Sequence, residues 1–178
     1  MKENNGLFKL FLEELEDMYS AENQLIEALP KLIKAASLPD LKDAISAHLK
    51  ETENQSKRIE EIFAILELQP QEKTCEAMEG LIKEADALVK EIPKSATLDA
   101  GIIGAAQKVE HYEIASYGTL RSFAEHLDFD DEIINLIQDS LDEEGAADKK
   151  LTKIAEGSFF SEGVNQEAAE KPLKSKKK

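Results

Sequence analysis

Four long segments of this chain repeat apolar residues at the three-and-four spacing of a helix, and β-branched alternating runs are absent, which confines the fold to helix-on-helix packing. The first segment, residues 6–36, carries Phe8, Phe11, Leu15, Met18, Leu25, Leu29 and Leu32 on one face. Pro30 lies inside it and removes one backbone hydrogen bond, which predicts a kink near Ile26 or a locally tighter turn. Leu38-Pro39-Asp40 stops it, because the residue before a proline avoids helical geometry. The second segment runs from about Pro39 to Glu67, with Leu41, Ile45, His48, Thr52, Gln55, Ile59, Ile62 and Leu66 in line. The third opens near Thr97 or Asp99, either of which can cap a helix, and reaches about His126. The fourth, through Ile133, Ile134, Ile137, Leu141, Leu151 and Ile154, extends to about Glu156.

Connection lengths then select the topology. Short turns join the first segment to the second and the third to the fourth, which makes each pair antiparallel neighbours. Between the second and third, residues 74–92 form a shorter amphipathic element through Met78, Leu81, Ile82, Ala85 and Leu88, closed by Pro93. One long crossover is the connectivity of ferritin-like bundles rather than of simple up-and-down bundles. The expected fold is all-α: a ferritin-like antiparallel four-helix bundle over residues 1–156, with one long crossover carrying an extra short helix. Residues 157–178 read as a flexible C-terminal tail, ending in Lys171, Lys174, Lys176, Lys177 and Lys178.

Composition narrows the partners. The 178 residues include 22 Lys and Arg against 37 Asp and Glu, a formal net charge of −15, and such a surface repels nucleic-acid phosphate. Cys75 is the single cysteine, so an intrachain disulfide and a cysteine-only metal site are excluded, and a reducing compartment fits. No apolar run has the length of a membrane span or the flanks of a signal peptide, and the expectation is a cytoplasmic protein.

Every long segment interrupts its own apolar seam near its middle. The third steps through Ile103, Ala106, Glu110, Glu113 or Ile114, Tyr117 and Leu120, which puts both glutamates on or beside the core face. The first places Glu22 between Met18 and Leu25, where an apolar residue belongs. The second sets His48 and Glu51 one turn apart, and the fourth steps Ile137, Leu141, Glu144, Asp148, Leu151. An ionised carboxylate in a low-dielectric core costs several kcal/mol, so a group of them demands positive charge. Lys108, Lys149 and Lys150 fall on other helix faces, and hard oxygen donors with one imidazole suit a pair of iron or manganese ions, with zinc or magnesium as alternatives. A single such acid is ordinarily a glutamate reaching solvent by its flexible stem; the coincidence on four helices favours the metal reading.

The runs "EDMYSAENQL", "HLKETENQ", "AAQKVEHYEIASYGTL" and "LDEEGAADKKLTKIA", in order across residues 6–156, closely resemble the YciE/YciF stress-protein family of the ferritin-like superfamily. The resemblance implies a bundle related to rubrerythrin and a homodimer. Carried over by residue, it implies metal ligands at Glu22, His48, Glu51, Glu110, Glu113 and Glu144, with Asp148 as a further candidate. The pattern departs from the superfamily's usual Glu-x-x-His: the second segment reads His48-x-x-Glu51, and the fourth has no histidine.

Two functions follow for testing. One is a metal centre that reacts with peroxide or oxygen in a stress response; with one cysteine and no cysteine-rich iron site, it needs an external reductant. The alternative is a dimeric helical scaffold in which the ion is structural and an apolar face, drawn from Leu7, Leu12, Phe63, Phe159 and Phe160, makes the contact. Tyr19, Tyr112 and Tyr117 read as core aromatics whose hydroxyls find carboxylates, Gln55 and Gln107 as hydrogen-bond partners of ligand carboxylates or ordinary surface residues, and Cys75 as structural.

Overall fold

A computed structural model describes residues 6–71, 73–158 and 161–170. Its helices are α1 (Gly6–Ala35), α2 (Pro39–Ile65), α3 (Glu76–Glu91), α4 (Ala96–His126), α5 (Asp131–Glu156) and α6 (Val164–Glu170). The strands β1 (Gly157–Ser158) and β2 (Ser161–Glu162) form a two-residue antiparallel pair between α5 and α6. The four long helices match the four apolar stripes, and α3 is the crossover element.

The helix ends show which side chains position them. Ser95 caps α4 by accepting from the Leu98 amide at 3.3 Å, so neither Thr97 nor Asp99 does so. Asp99 instead caps a different helix. Its carboxylate accepts from the amides of Ser37 at 2.7 Å and Leu38 at 3.0 Å, while Leu38, at the start of α2, has no side chain able to cap. This fixes the beginning of α4 against the α1–α2 turn. Cys75 caps α3 through its sulfur, and α1 continues as helix through Pro30.

Packing closes a ring in the order α1, α2, α5, α4, with α3 lying on α1 and α4. The apolar seams meet inside it: Phe11, Leu15, Met18, Ile59, Ile62, Ile102 and Leu120 are all buried, each worth about 1.5–3 kcal/mol of removal from water. Phe129, in the α4–α5 turn, stands edge-on to Phe11 and Phe8 at ring separations of 5.1 and 6.2 Å, locking that turn onto the first helix. Phe63 is also in this core and cannot serve as the exposed contact face expected of it. Leu7 and Leu12 pack partly against the core, and Phe159 and Phe160 lie outside the described residues.

The chain after Gly157 departs from a free tail. Gly157 ends α5 with φ 79°, the β1–β2 pair turns the chain back, and α6 packs on α4 and α5 with Val164 buried. Gly163 makes this possible, because a Cβ there would stand 2.3 Å from the backbone carbon of Glu156. The bundle thus extends to Glu170, and the lysines from Lys171 onward lie outside the described residues.

Candidate metal centre

The interrupted seams converge. Glu22 of α1, His48 of α2, Glu110 and Glu113 of α4 and Glu144 of α5 are all buried at the middle of the bundle. One donor atom from each of His48, Glu110, Glu113 and Glu144 lies within 4.8 Å of the others. The imidazole Nε2 of His48 is 3.6 Å from Glu110 and 3.9 Å from Glu113, too long for hydrogen bonds. Glu51, one turn after His48, is 3.9 Å from Nδ1 and partly exposed, so it edges the group from the α2 side. Glu22 faces the group from α1, where its charge bears on Glu113 and that of Glu144 bears on it.

Hydrogen bonds orient the acids without satisfying all of their oxygens. The Tyr117 hydroxyl donates to one oxygen of Glu22, and the Gln55 amide donates to Glu144 and, at 3.1 Å, to Glu143. Glu143 is clamped by the Arg58 guanidinium in a two-pronged pair at 2.6 and 2.7 Å. The acids retain buried atoms with no partner: Glu22 Oε2, Glu110 Oε2, both oxygens of Glu113, Glu144 Oε2, and both ring nitrogens of His48. Native interiors seldom leave such atoms unpaired, and each costs about 1–3 kcal/mol when nothing meets it.

Burial sets the electrostatics. Loss of water pushes Glu110 up to about 11, helped by Glu144, and raises Glu22 and Glu113 well above the ordinary carboxyl range through burial and neighbouring carboxylates. Glu51 moves the other way, held below its ordinary value chiefly by the adjacent imidazole. Burial thus favours the protonated forms of Glu22, Glu110 and Glu113.

Asp148 is not one of the four whose donors converge. Its carboxylate accepts from Gln107 at 3.0 Å and lies 3.5 Å from His111, on the outer side of the α4–α5 contact. Of the tyrosines, only Tyr117 is bonded to an acid of the centre; Tyr19 donates to Glu60 and Tyr112 to Asp17. Cys75 is buried, 3.1 Å from the Tyr112 hydroxyl, and burial raises its thiol. Arg58 and Glu143 were not legible as part of this arrangement. The one signal was spacing, since Arg58 follows Gln55 by three residues and shares its face.

Comparison with known proteins agrees with this architecture. Residues 6–169 match the family described as "Domain of unknown function (DUF892)". Protein YciF of Escherichia coli K12 is 46% identical over 147 residues, covering 82% of this chain and 88% of YciF. The crystal structure of the E. coli stress protein YciF superposes with a TM-score of 0.80 at 45% identity, covering 84% of this chain and 94% of that one. YcfI of Rhodopseudomonas palustris gives 0.81 at 43% identity over 87% and 98% of the two chains. A protein of Xanthomonas campestris pv. campestris shares the fold at 0.66 and 21% identity over 82% of this chain and 88% of that one. With a family model matching residues 6–169, the chain belongs to the DUF892 family, and it is 46% identical to Protein YciF of E. coli over most of its length.

Proposed function

We propose that this chain is a ferritin-like metal-binding stress protein whose core holds two ions, iron or manganese, and reacts with oxygen or peroxide. Glu22, His48, Glu51, Glu110, Glu113 and Glu144 would hold them. The observation that carries this reading is Glu113, fully buried with neither carboxylate oxygen bonded, among three further acids that keep unpartnered oxygens. The residues fit the group: hard oxygens with one imidazole, converging from three helices with Glu22 facing them from a fourth, suit a di- or trivalent first-row ion. Arg58 offsets only part of the charge at Glu22, where burial and the neighbouring carboxylates outweigh it, and Glu143 already occupies its guanidinium.

When bound, such ions supply Lewis acidity and one-electron chemistry with the oxidant. The chain's own residues prepare that chemistry. Tyr117 and Gln55 fix one oxygen each of Glu22 and Glu144 and leave the other free. Glu110 and Glu113 hold protons at their carboxyls until a cation displaces them. Reducing equivalents come from outside the chain, whose single cysteine is engaged with Tyr112.

The test is elemental analysis of protein purified without chelator, beside a double variant carrying Glu110→Gln and Glu144→Gln. About two equivalents of iron or manganese, lost in a variant that still folds, support the centre. No metal in either protein overturns it and leaves a helical scaffold whose acids are merely protonated.

A further inference from the structure

The acid cluster is closed on one side and reachable on the other. Toward the α4–α5 turn it is closed by polar contacts, Tyr117 on Glu22 and Gln55 on Glu144. Toward the α1–α2 turn lies a pocket of about 110 Å³ with a lining of three kinds. Where it opens to the surface stand Glu51, Asp86 and Lys150 beside Ala146; Lys150 and Ala146 are exposed and the two acids partly so. Its walls are aliphatic: Leu25 and Leu29 from α1, Ile45 from α2, Ile82 from α3, Ala106 from α4 and Leu151 from α5. Against the cluster it ends on His48 and Glu110, both more than nine-tenths buried, with both ring nitrogens of the first and Oε2 of the second unpartnered.

This lining selects among ligands. A wholly apolar molecule leaves the buried nitrogens and Oε2 unpaired. A carboxylate amphiphile meets Glu51 and Asp86 at the mouth and further acids beyond, with Lys150 alone to answer them. Hydrogen peroxide satisfies the polar end and gains nothing from the aliphatic walls. A small neutral molecule with an alkyl body and one end that both donates and accepts hydrogen bonds meets every part, because a neutral imidazole presents one donor and one acceptor. A closed cavity of about 150 Å³ takes one benzene, and on that scale the space here holds about four or five heavy atoms, a short alkyl body rather than a lipid chain.

We propose that this pocket binds a short organic hydroperoxide, its alkyl body along the aliphatic walls and its O–O–H end against His48 and Glu110. The choice of a hydroperoxide over an alcohol of the same shape rests on the metal reading above; the binding of such an amphiphile does not. In the iron-loaded protein the O–O bond accepts two electrons, one from each of two ferrous ions, and two protons, and breaks to leave the alcohol and water.

The probe is tert-butyl hydroperoxide. Metal-free full chain is titrated with it and followed by amide NMR, beside Ala106→Leu, which fills the pocket, and Ala146→Phe, which narrows its mouth. Ala146 is exposed, so the second variant keeps the test open if the first fails to fold. Saturable binding in the parent, weakened at least about fivefold in a folded variant, supports the pocket. Absence of saturable binding, binding that neither folded variant weakens, or displacement by an equal concentration of hydrogen peroxide overturns it. Oxidation of the ferrous protein then tests the substrate. The ratio of its rate with tert-butyl hydroperoxide to its rate with hydrogen peroxide falls in the folded variants if the hydroperoxide reacts from this pocket, and an unchanged ratio overturns it as the substrate. A protein that binds the probe yet takes up no metal keeps the pocket and loses the metal centre with its reaction; one that takes up metal but does not bind the probe keeps the centre and loses the pocket.

Discussion

Replacing Glu110 by glutamine gives the sharpest test of how the centre stands without a cation. In the unfolded chain this carboxyl has its ordinary value of 4.5, whereas in the fold burial pushes it up to about 11. Between those limits the folded state keeps a proton that the unfolded state has released. Stability therefore falls as pH rises through the window, by about 1.4 kcal/mol per pH unit for one such group. Its contribution is fully present below the unfolded value and is lost toward the folded one. From about pH 5 to about pH 8 the loss comes to about 4 kcal/mol, a large share of a typical domain's 5–15 kcal/mol. Glutamine fills the same space and cannot ionise, so Glu110→Gln is expected to remove one proton from the slope. Glu22 and Glu113 are raised in the same direction and leave the variant with a slope of its own, so the measured quantity is the difference between the two proteins. Urea unfolding with chelator present, at steps across that range and constant ionic strength, reads it directly. Curves for parent and variant that diverge by about 4 kcal/mol in the variant's favour support the argument. Parallel curves would refute it, because Glu110 would then not be held protonated in the fold.

Three further outcomes are expected. Asp99→Ala strips the amides of Ser37 and Leu38 of their acceptor and is expected to cost about 2–4 kcal/mol by urea unfolding, with Asp99→Asn recovering part of it; a loss confined to a few tenths would show the turn to be held otherwise. Gly163→Ala places a Cβ against the backbone at the end of α5 and is expected to release α6, seen as faster amide exchange over Val164–Glu170 while the long helices keep their protection. In alkaline titration, Tyr117 and Tyr112, both raised from an ordinary 10.0 chiefly by burial, are expected to give no phenolate absorbance until the protein unfolds, and two tyrosines ionising near their ordinary value in folded protein would contradict their packing.

The sequence made the long helices and the converging acids legible for one reason: both are periodic. Glu22, Glu110, Glu113 and Glu144 occupy seam positions by helical spacing, and all four are buried. Residues whose roles depend on a neighbouring helix escaped this reasoning. Asp99 looks like a cap for its own helix and instead caps α2, since the end of α1 folds back onto α4. Arg58 lies on a helix face that also carries polar residues, and only the approach of α5 brings Glu143 to it. Asp148 shares seam spacing with Glu144, yet Gln107 and His111 hold its carboxylate outside the four-residue group. The packing of residues 161–170 is not legible in the sequence for a related reason. Val164 carries no periodic signal in so short a helix; Gly163 before it lies against the backbone at the end of α5, and α6 packs on α4 and α5.

The donors chosen around the acids bear on how folding and loading are coupled. Gln55 orients Glu144 and Glu143 with a neutral amide, and Tyr117 orients Glu22 with a neutral hydroxyl. Neither adds positive charge. A lysine or arginine at either place would pair with the acids permanently, lower their proton affinity and leave little attraction for an ion. With neutral donors, the charge at Glu22, Glu110 and Glu113 is answered by protons or by a cation, and the two compete for the same oxygens. Raising the pH therefore weakens the metal-free fold and strengthens cation binding together, because each proton lost from the folded state is one the ion no longer has to displace. On the metal reading, a cation would stabilise this bundle least in acid and most at neutral to alkaline pH, the reverse of the metal-free trend.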